Sequence, residues 1–169
     1  MKRKLLFFRY FAYSLEIILL YVLQSTPNLM PEIFGSKPVL LVAVALSIAS
    51  REDKIPSLIF GAVCGIFADT ATGGGVGFFA IALTLVCYFE AYLYSVYFVP
   101  TILTVMIISV VVIPLLISVY FLLFRVFAGV PDSGTLFVNH YISRMIYTLI
   151  TVVPLYFLNG FLYKSLNNN

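Results

Sequence analysis

The sequence has few of the residues that build a water-exposed surface or a catalytic site. Charged residues make up 10% of the 169-residue chain, whereas a soluble domain carries roughly 25%. A single histidine excludes a metal site built from several histidines. Hydrophobic residues make up 62% of the chain, so there is too little polar side chain to cover a surface in water. The composition therefore predicts one integral membrane domain over residues 1–169, with no room for a second folded unit.

Other scarce features exclude further classes of protein. The only two cysteines, Cys64 and Cys87, fall in apolar stretches, so we interpret them as core residues and predict no disulfide. The glycine-rich run at residues 73–77 is followed by no Gly-Lys-Ser/Thr, which argues against nucleotide binding. No Ser/His/Asp set or carboxylate pair has a catalytic spacing, so we expect neither an enzyme nor a cofactor. The net charge of +3 is small and indicates membrane orientation, not nucleic-acid binding.

Turn residues and charges divide the apolar background into six candidate membrane-spanning helices. They are predicted at residues 5–25, 38–50, 56–72, 76–94, 100–126 and 136–163. The second is short for a hydrocarbon core of ~30 Å, which needs ~20 helical residues. It either begins earlier, near Ile33, or lies deep in the bundle. Pro56 suits the first turn of the third helix, where its missing N–H costs nothing. The sequence thus predicts an all-α bundle of six transmembrane helices.

The placement of lysine and arginine predicts the orientation. With the N-terminus in the cytoplasm, the outer side holds Lys37 and Arg125, and the inner side holds a larger basic group. The positive-inside rule favours this topology, and six spans leave both termini cytoplasmic. A lysine- and arginine-rich start before an apolar run resembles a signal peptide, but no Ala-x-Ala-like cleavage site follows, so we expect an uncleaved first helix. The inner basic group consists of Lys2, Arg3, Lys4, Arg9, Arg51, Lys54 and Lys164.

The most informative segment runs from Gly61 to Gly77. Gly61 and Gly65 are one helical turn apart, Asp69 follows one turn later, and a glycine-rich run from Gly73 to Gly77 comes next. Small residues allow helix backbones to approach closely in a bilayer, and a carboxylate there costs about 2.5–3.5 kcal/mol unless protein surrounds it. We therefore expect a closely packed helix that ends in a tight turn. Asp69 either accepts backbone N–H groups of this turn or faces a polar cavity or a partner.

One face of the first helix is polar. Arg9, Tyr13, Glu16, Leu20 and Gln24 recur at steps of three and four residues, which places them on the same side. Glu16 is either a polar contact that fixes helix packing or a carboxylate that faces a ligand or partner.

Two further charged residues lie near the ends of predicted helices. Arg144 is at the outer end of the last helix, where it either extends toward lipid headgroups or pairs with Asp69 or another outer carboxylate. Glu90 is near the inner end of the fourth helix, where we expect it to reach water or to meet Lys54 or Arg51.

This pattern resembles the MreD family, the rod shape-determining membrane proteins of bacteria. The matching features begin with Lys37-Pro38 at the start of the second helix and continue through a short charged loop. The resemblance is specific over about residues 37–80 and architectural elsewhere, although Gln24 near the end of the first helix also fits. The motif residues that carry it are Gly61, Gly65, Asp69, Gly73 and Gly77.

The resemblance implies a non-enzymatic scaffold that maintains cell shape and side-wall peptidoglycan synthesis in the elongation complex of the inner membrane. The implied partners are MreC through helix-face contacts, MreB filaments, RodA with its transpeptidase, and membrane lipids. The implied fold is similar to the substrate-binding subunit of energy-coupling-factor vitamin transporters. The candidate residues for helix packing or partner binding are Glu16, Gln24, Gly61, Gly65, Asp69, Gly73, Gly77 and Arg144.

Two other functional classes stay open. The first is a substrate-binding subunit of a vitamin-type transporter, which shares this architecture. That class carries an Ala-x-x-x-Ala docking signature in its first helix, whereas here Ala12 is followed four residues later by Glu16. The second is a small membrane enzyme or lipid transporter. Co-purification separates these classes, since MreC would support the scaffold and an ATPase coupling module would support the transporter.

Overall fold

A computed structural model describes residues 2–26, 36–72, 77–126 and 140–167. Within these ranges the chain forms α-helices and no β-strand. A π-helical turn over Leu122–Val126 directly continues the fifth helix. The helices are α1 (Lys2–Ser25), α2 (Leu40–Ala49), α3 (Lys54–Thr72), α4 (Phe78–Val96), α5 (Ile102–Phe121) and α6 (Ile142–Asn167).

Five of these helices, α1, α3, α4, α5 and α6, are long and apolar enough to cross a membrane. The chain therefore has the character of a multi-pass membrane protein. The remaining helix, α2, has 10 residues, which is about 15 Å at a rise of ~1.5 Å per residue. The prediction of an all-α bundle is confirmed. By length, however, five of the described helices are candidate spans where the sequence predicted six.

The observed helix ends differ modestly from the predicted ones. α2 begins at Leu40, and residues 37–39 are not helical, so the alternative in which it begins near Ile33 is wrong. Pro56 lies in the first turn of α3, as predicted. The predicted start of the last helix at residue 136 and the turn at residues 73–76 fall outside the described residues.

The short helix α2 is the centre of the bundle. All its residues from Leu40 to Ala49 are buried. It contacts each of the other five helices, and those five also contact one another in the closed order α3, α4, α5, α6, α1 and back to α3. Every face of α2 therefore meets protein, which explains why its sequence is apolar all round. The alternative that this segment lies deep in the bundle is confirmed.

Aromatic residues fill the space between the helices of the ring. The Tyr13 and Phe60 rings meet edge to face with centroids 5.6 Å apart, and Phe79 stacks on Tyr120 at 5.2 Å. The outward faces are apolar as well, for example at Phe7 and Ile107, which are 69% and 58% exposed. Such a surface is a liability in water and is suited to contact with lipid chains.

Contacts between helix ends define two ends of the bundle. At one end, Arg9 of α1 pairs with Glu52 and lies over the ring of Tyr163 near the end of α6. Arg51 lies over the ring of Tyr156 at the same end. We call this the basic end, because it gathers Arg9, Arg51, Lys54 and Lys164.

At the opposite end lie the last turns of α1 and α3 and the first turns of α2 and α4. Here Gln24 contacts the start of α2 at Leu41, and Asp69 contacts the start of α4 at Gly77. We call this the glycine end. Successive helices therefore run in opposite directions between the two ends.

Candidate functional site

The α3–α4 contact is a backbone-to-backbone contact at two glycines. A Cβ atom at Gly61 would lie 2.7 Å from the carbonyl oxygen of Leu83 and 2.9 Å from the Cβ of Cys87. A Cβ atom at Gly65 would overlap the backbone of Phe79 and Ala80. These distances are shorter than van der Waals contact, so only glycine allows α4 to approach α3 this closely. The expectation of close helix packing at Gly61 and Gly65 is confirmed.

Asp69 binds the start of α4 from the end of α3. Its Oδ2 accepts hydrogen bonds from the backbone N–H groups of Gly77 and Ala80, both at 3.0 Å. Its Oδ1 accepts a third from Phe79 at 3.0 Å. The Asp69 side chain is buried. Of the two roles left open by the sequence, acceptance of N–H groups of the turn is confirmed at Gly77, whereas Gly73 lies outside the described residues.

Through these hydrogen bonds, Asp69 caps the N-terminus of α4. The first N–H groups of a helix have no partner inside it, and the residue before α4, Gly77, has no side chain to supply one. Gly77 also has φ of 99°, a left-handed conformation that glycine adopts without a steric penalty. The Asp69 carboxylate supplies the missing acceptors, and its negative charge is favourable at the positive end of the helix dipole.

Arg9 and Glu52 form a buried ion pair at the basic end. The Arg9 Nη2 donates to Glu52 Oε2 at 2.9 Å, and Nε lies 2.8 Å from Oε1. Burial raises the pKa of the Glu52 carboxyl above its usual range, and the neighbouring Arg9 charge partly opposes that rise. The pair ties α1 to the loop between α2 and α3.

A polar cluster lies in the interior between α1, α2 and α6. The amide nitrogen of Asn159 is within 3.2 Å of Glu16 Oε1, 3.0 Å of Ser47 Oγ and 3.1 Å of the Leu155 carbonyl oxygen. Ser47 Oγ in turn donates to that carbonyl at 3.0 Å. The contact at Glu16 joins two helices, which favours the packing interpretation of this carboxylate. Asn159 was not among the residues predicted from the sequence, although a lone amide in an apolar helix is a signal for a polar contact between helices.

Side chains from α1 and α6 accept hydrogen bonds from backbone N–H groups at the start of α2. Gln24 Oε1 accepts the N–H of Leu41 at 3.3 Å, and Thr148 Oγ1 accepts the N–H of Val39 at 3.1 Å. These N–H groups have no acceptor within α2 itself. Gln24 therefore serves the packing of the central helix.

Glu90 is buried, against the expectation from sequence. It is 1% exposed, so the prediction that it reaches water is wrong. It forms no ion pair with Lys54 or Arg51, which lie instead over the rings of Tyr92 and Tyr156. Glu90 follows Phe79, Leu83 and Cys87 on the inward face of α4, and this helical periodicity turns the carboxylate into the bundle. The polar group that interacts with this carboxylate is the hydroxyl of Tyr94, one turn further along α4.

Arg144 and Asp69 are not paired. Both Asp69 oxygens accept backbone N–H groups, and no ion pair of Arg144 with a carboxylate occurs between described residues. Arg144 is half-buried, and its electrostatic neighbours are Tyr120 and Tyr141. Of the alternatives left open for Arg144, the pairing with Asp69 is therefore wrong, because the N-terminus of α4 already uses that carboxylate.

The polar contacts of Arg9, Gln24, Asp69 and Asn159 thus hold the helices together at the basic end, at the glycine end and in the interior. Among the described residues there is no group of three or more His, Cys, Asp or Glu side chains that could hold a metal ion. Comparison of the chain with protein-family models, curated proteins and solved structures finds no match.

Proposed function

We propose that this chain is a non-enzymatic scaffold of the bacterial cell-elongation complex, of the MreD type, and that it binds MreC in the inner membrane. One observation carries the proposal. Four of the five motif residues behind the resemblance to MreD, namely Gly61, Gly65, Asp69 and Gly77, form a single structural unit at the α3–α4 hairpin, and the fifth, Gly73, lies outside the described residues. The four are therefore one fold-determining motif and not coincident residues in an apolar background.

The outer surface supports a function through helix contacts. The polar groups of Asp69, Gln24 and Asn159 are engaged inside the bundle. The outward faces present large apolar side chains, including Phe11 at 60% and Ile150 at 60% exposure. A partner with a single transmembrane helix, which MreC is expected to be, can pack on such a face. MreB, RodA and its transpeptidase would then be direct or indirect partners.

In this proposal α2 completes a sixth crossing, with both termini in the cytoplasm. Gln24 contacts the start of α2, and Arg9 contacts Glu52 just after its end. Gln24 and Arg9 lie fifteen residues apart on α1, about 22 Å at ~1.5 Å per residue. The segment from Ser36 to Glu52 thus covers much of the height of a bilayer core, even though its helical part is short. Surrounding helices shield it from lipid.

The test is co-purification of the tagged chain with MreC from membranes in mild detergent. An unrelated single-span membrane protein expressed at the same level is the control. We expect MreC to be retained selectively and to stay bound at about half-molar salt, since buried helix packing is screened far less than exposed charge pairs. Selective retention of an ATPase coupling module without MreC would instead support the vitamin-transporter class and contradict the scaffold.

A complementation assay tests the role in the cell. Expression of the chain in a rod-shaped bacterium depleted of its own MreD should restore rod shape if the proposal is correct. Cells that stay round, although the chain reaches normal membrane levels and binds MreC, would show that the scaffold function is wrong.

A further inference from the structure

A groove of about 570 Å³ opens at the basic end between α6 and the start of α5. Arg51 and Lys164 form its charged wall, and Tyr156, Phe157 and Phe161 line the rest. Its volume is in the range of small-ligand sites. The residues used in the polar contacts described above, such as Asp69 and Asn159, do not line it.

Arg51 is held in place at the edge of this groove. Its guanidinium carbon lies 4.3 Å from the centroid of the Tyr156 ring, a cation–π contact. The Tyr156 hydroxyl donates to the Pro100 carbonyl oxygen at 2.8 Å, which fixes the ring against the segment before α5. A Cβ at Gly160 would lie 2.9 Å from Arg51 Nη2, so the absence of a side chain at Gly160 gives the guanidinium its space.

The positive charge in the groove has no ion-pair partner in the part of the chain that the structure describes. No carboxylate forms an ion pair with Arg51 or Lys164 among the described residues, and Arg51 Nε is buried without a hydrogen-bond partner there. Glu52, the next residue in the chain, is engaged by Arg9. The partly buried Arg51 guanidinium therefore lacks a counter-charge among these residues, and a bound anion would supply one.

The other wall of the groove is suited to acyl chains. Phe157 and Phe161 are 61% and 73% exposed and follow α6 from the charged end toward the middle of the bundle. The basic end is also the end that the distribution of lysine and arginine assigns to the cytoplasm. Anionic lipids are concentrated in that leaflet, and basic pockets between transmembrane helices on that side bind their headgroups.

We propose that this groove binds an anionic phospholipid, with its phosphate between Arg51 and Lys164 and its acyl chains against Phe157 and Phe161. Arg51 supplies a planar fork of donors that matches two phosphate oxygens, and Lys164 supplies a second, flexible positive charge. The proposal does not depend on the partner suggested above, since it follows from the groove and its unpaired charges.

The test uses the purified full chain in a neutral detergent after removal of native lipid. The melting temperature is followed while phosphatidylglycerol or phosphatidylcholine with the same acyl chains is added. We expect phosphatidylglycerol to raise the melting temperature at lower concentration. Arg51→Gln and Lys164→Gln should each weaken the apparent affinity about fivefold. Lys54→Gln is the matched control, because Lys54 is a basic residue at the same end that contacts Tyr92 and does not line the groove.

Lys164 is exposed, so Lys164→Gln keeps the test decisive even if Arg51→Gln fails to fold. Equal effects of the two lipids would overturn the proposal, as would an equal loss in Lys54→Gln, which would indicate diffuse attraction to the whole basic end. Inorganic phosphate is added in a parallel series. If it alone stabilised the chain as well as phosphatidylglycerol did, with the same dependence on Lys164, the ligand would be free phosphate and the lipid assignment would be wrong.

Discussion

Arg9 on α1 holds both carboxylate oxygens of Glu52, with contacts of 2.9 Å and 2.8 Å. The two residues are 43 positions apart, so the contact fixes the first helix against the loop that follows the central helix. The side chains are 10% and 3% exposed. An ion pair this deeply buried is expensive to break on one side, because the remaining charge keeps its desolvation cost and loses its partner.

Removal of one member of this pair should therefore be strongly destabilising. We expect Glu52→Ala to lower the free energy of unfolding by about 3–5 kcal/mol. The double variant Arg9→Met/Glu52→Met should lower it less, because it leaves no charge without its partner. Thermal unfolding in detergent measures both. Asp53→Ala, at the exposed neighbouring residue, is the control. Similar melting temperatures of the Glu52→Ala and Asp53→Ala variants would show that the pair contributes little.

The pKa of Glu52 predicts a pH dependence of stability. Burial raises this pKa in the folded chain, so the folded state binds the proton more tightly than the unfolded state, whose glutamate pKa is about 4.3. The resulting stabilisation is fully present below the unfolded pKa and is lost as pH rises through the folded pKa. We expect the wild type to lose stability relative to Glu52→Gln as pH rises above the unfolded glutamate pKa of about 4.3. If the melting temperature of the wild type rose relative to that of Glu52→Gln as the pH increased over this range, the assignment would be contradicted.

Gly65 should tolerate no larger side chain. A Cβ there would overlap the backbone of Phe79 and Ala80, which cannot rotate away as a side chain can. We expect Gly65→Leu to destabilise the bundle by about 1–3 kcal/mol through overpacking. Val63→Leu, on the more exposed face of the same helix, is the control and should melt as the wild type does. An unchanged melting temperature for Gly65→Leu would place this face toward lipid.

The success of sequence reasoning here depends on how far apart the interacting residues are. The contact between Asp69 and Gly77 spans 8 positions, and the spacing of Gly61, Gly65 and Asp69 on one helix shows the pattern directly. The contact between Asn159 and Glu16 spans 143 positions, and nothing in either local segment indicates the other. Local periodicity therefore predicts the hairpin well and leaves the interior polar cluster undetermined.

The error at Glu90 and the two alternatives left open at α2 have a related cause. Composition shows that a segment is apolar, but it does not show whether lipid or protein surrounds it. Five helices enclose α2, and that enclosure is a property of the whole bundle. Glu90 lies near a helix end, where an extended side chain reaches water in many proteins. Here it lies on the inward face of α4, so its side chain is buried in the bundle.

The proposed topology predicts that the loops at Lys54 and Asp132 face opposite compartments. Lys54 begins α3 at the basic end, and Asp132 lies in the stretch between α5 and α6, outside the described residues. Single cysteines at these positions, in a background that lacks the buried Cys64 and Cys87, are labelled with a reagent that does not cross membranes. We expect labelling of Asp132→Cys in intact cells and of Lys54→Cys only after permeabilisation. Labelling of both from the same side would contradict six crossings.

Asp69 should be sensitive to the loss of acceptors and tolerant of the loss of charge. Its two oxygens accept N–H groups of Gly77, Phe79 and Ala80. Asp69→Leu leaves all of these donors unpaired, and each buried unpaired donor costs about 1–3 kcal/mol. We therefore expect this variant to lose folding or MreC binding. Asp69→Asn keeps one oxygen acceptor and a similar shape, so it should retain much of both.

The measurements for Asp69 are membrane protein level, MreC co-purification and cell shape in the complementation assay, made in parallel on the two variants. If the carboxylate acts through the start of α4, cell shape should follow protein level in both, since a chain that folds should also function. Rounded cells with normal levels and normal MreC binding in Asp69→Asn would mean that the negative charge itself is required. In that case the hydrogen bonds of Asp69 to the start of α4 would not account for its function. A partner or ligand that binds its negative charge would then be expected at the glycine end.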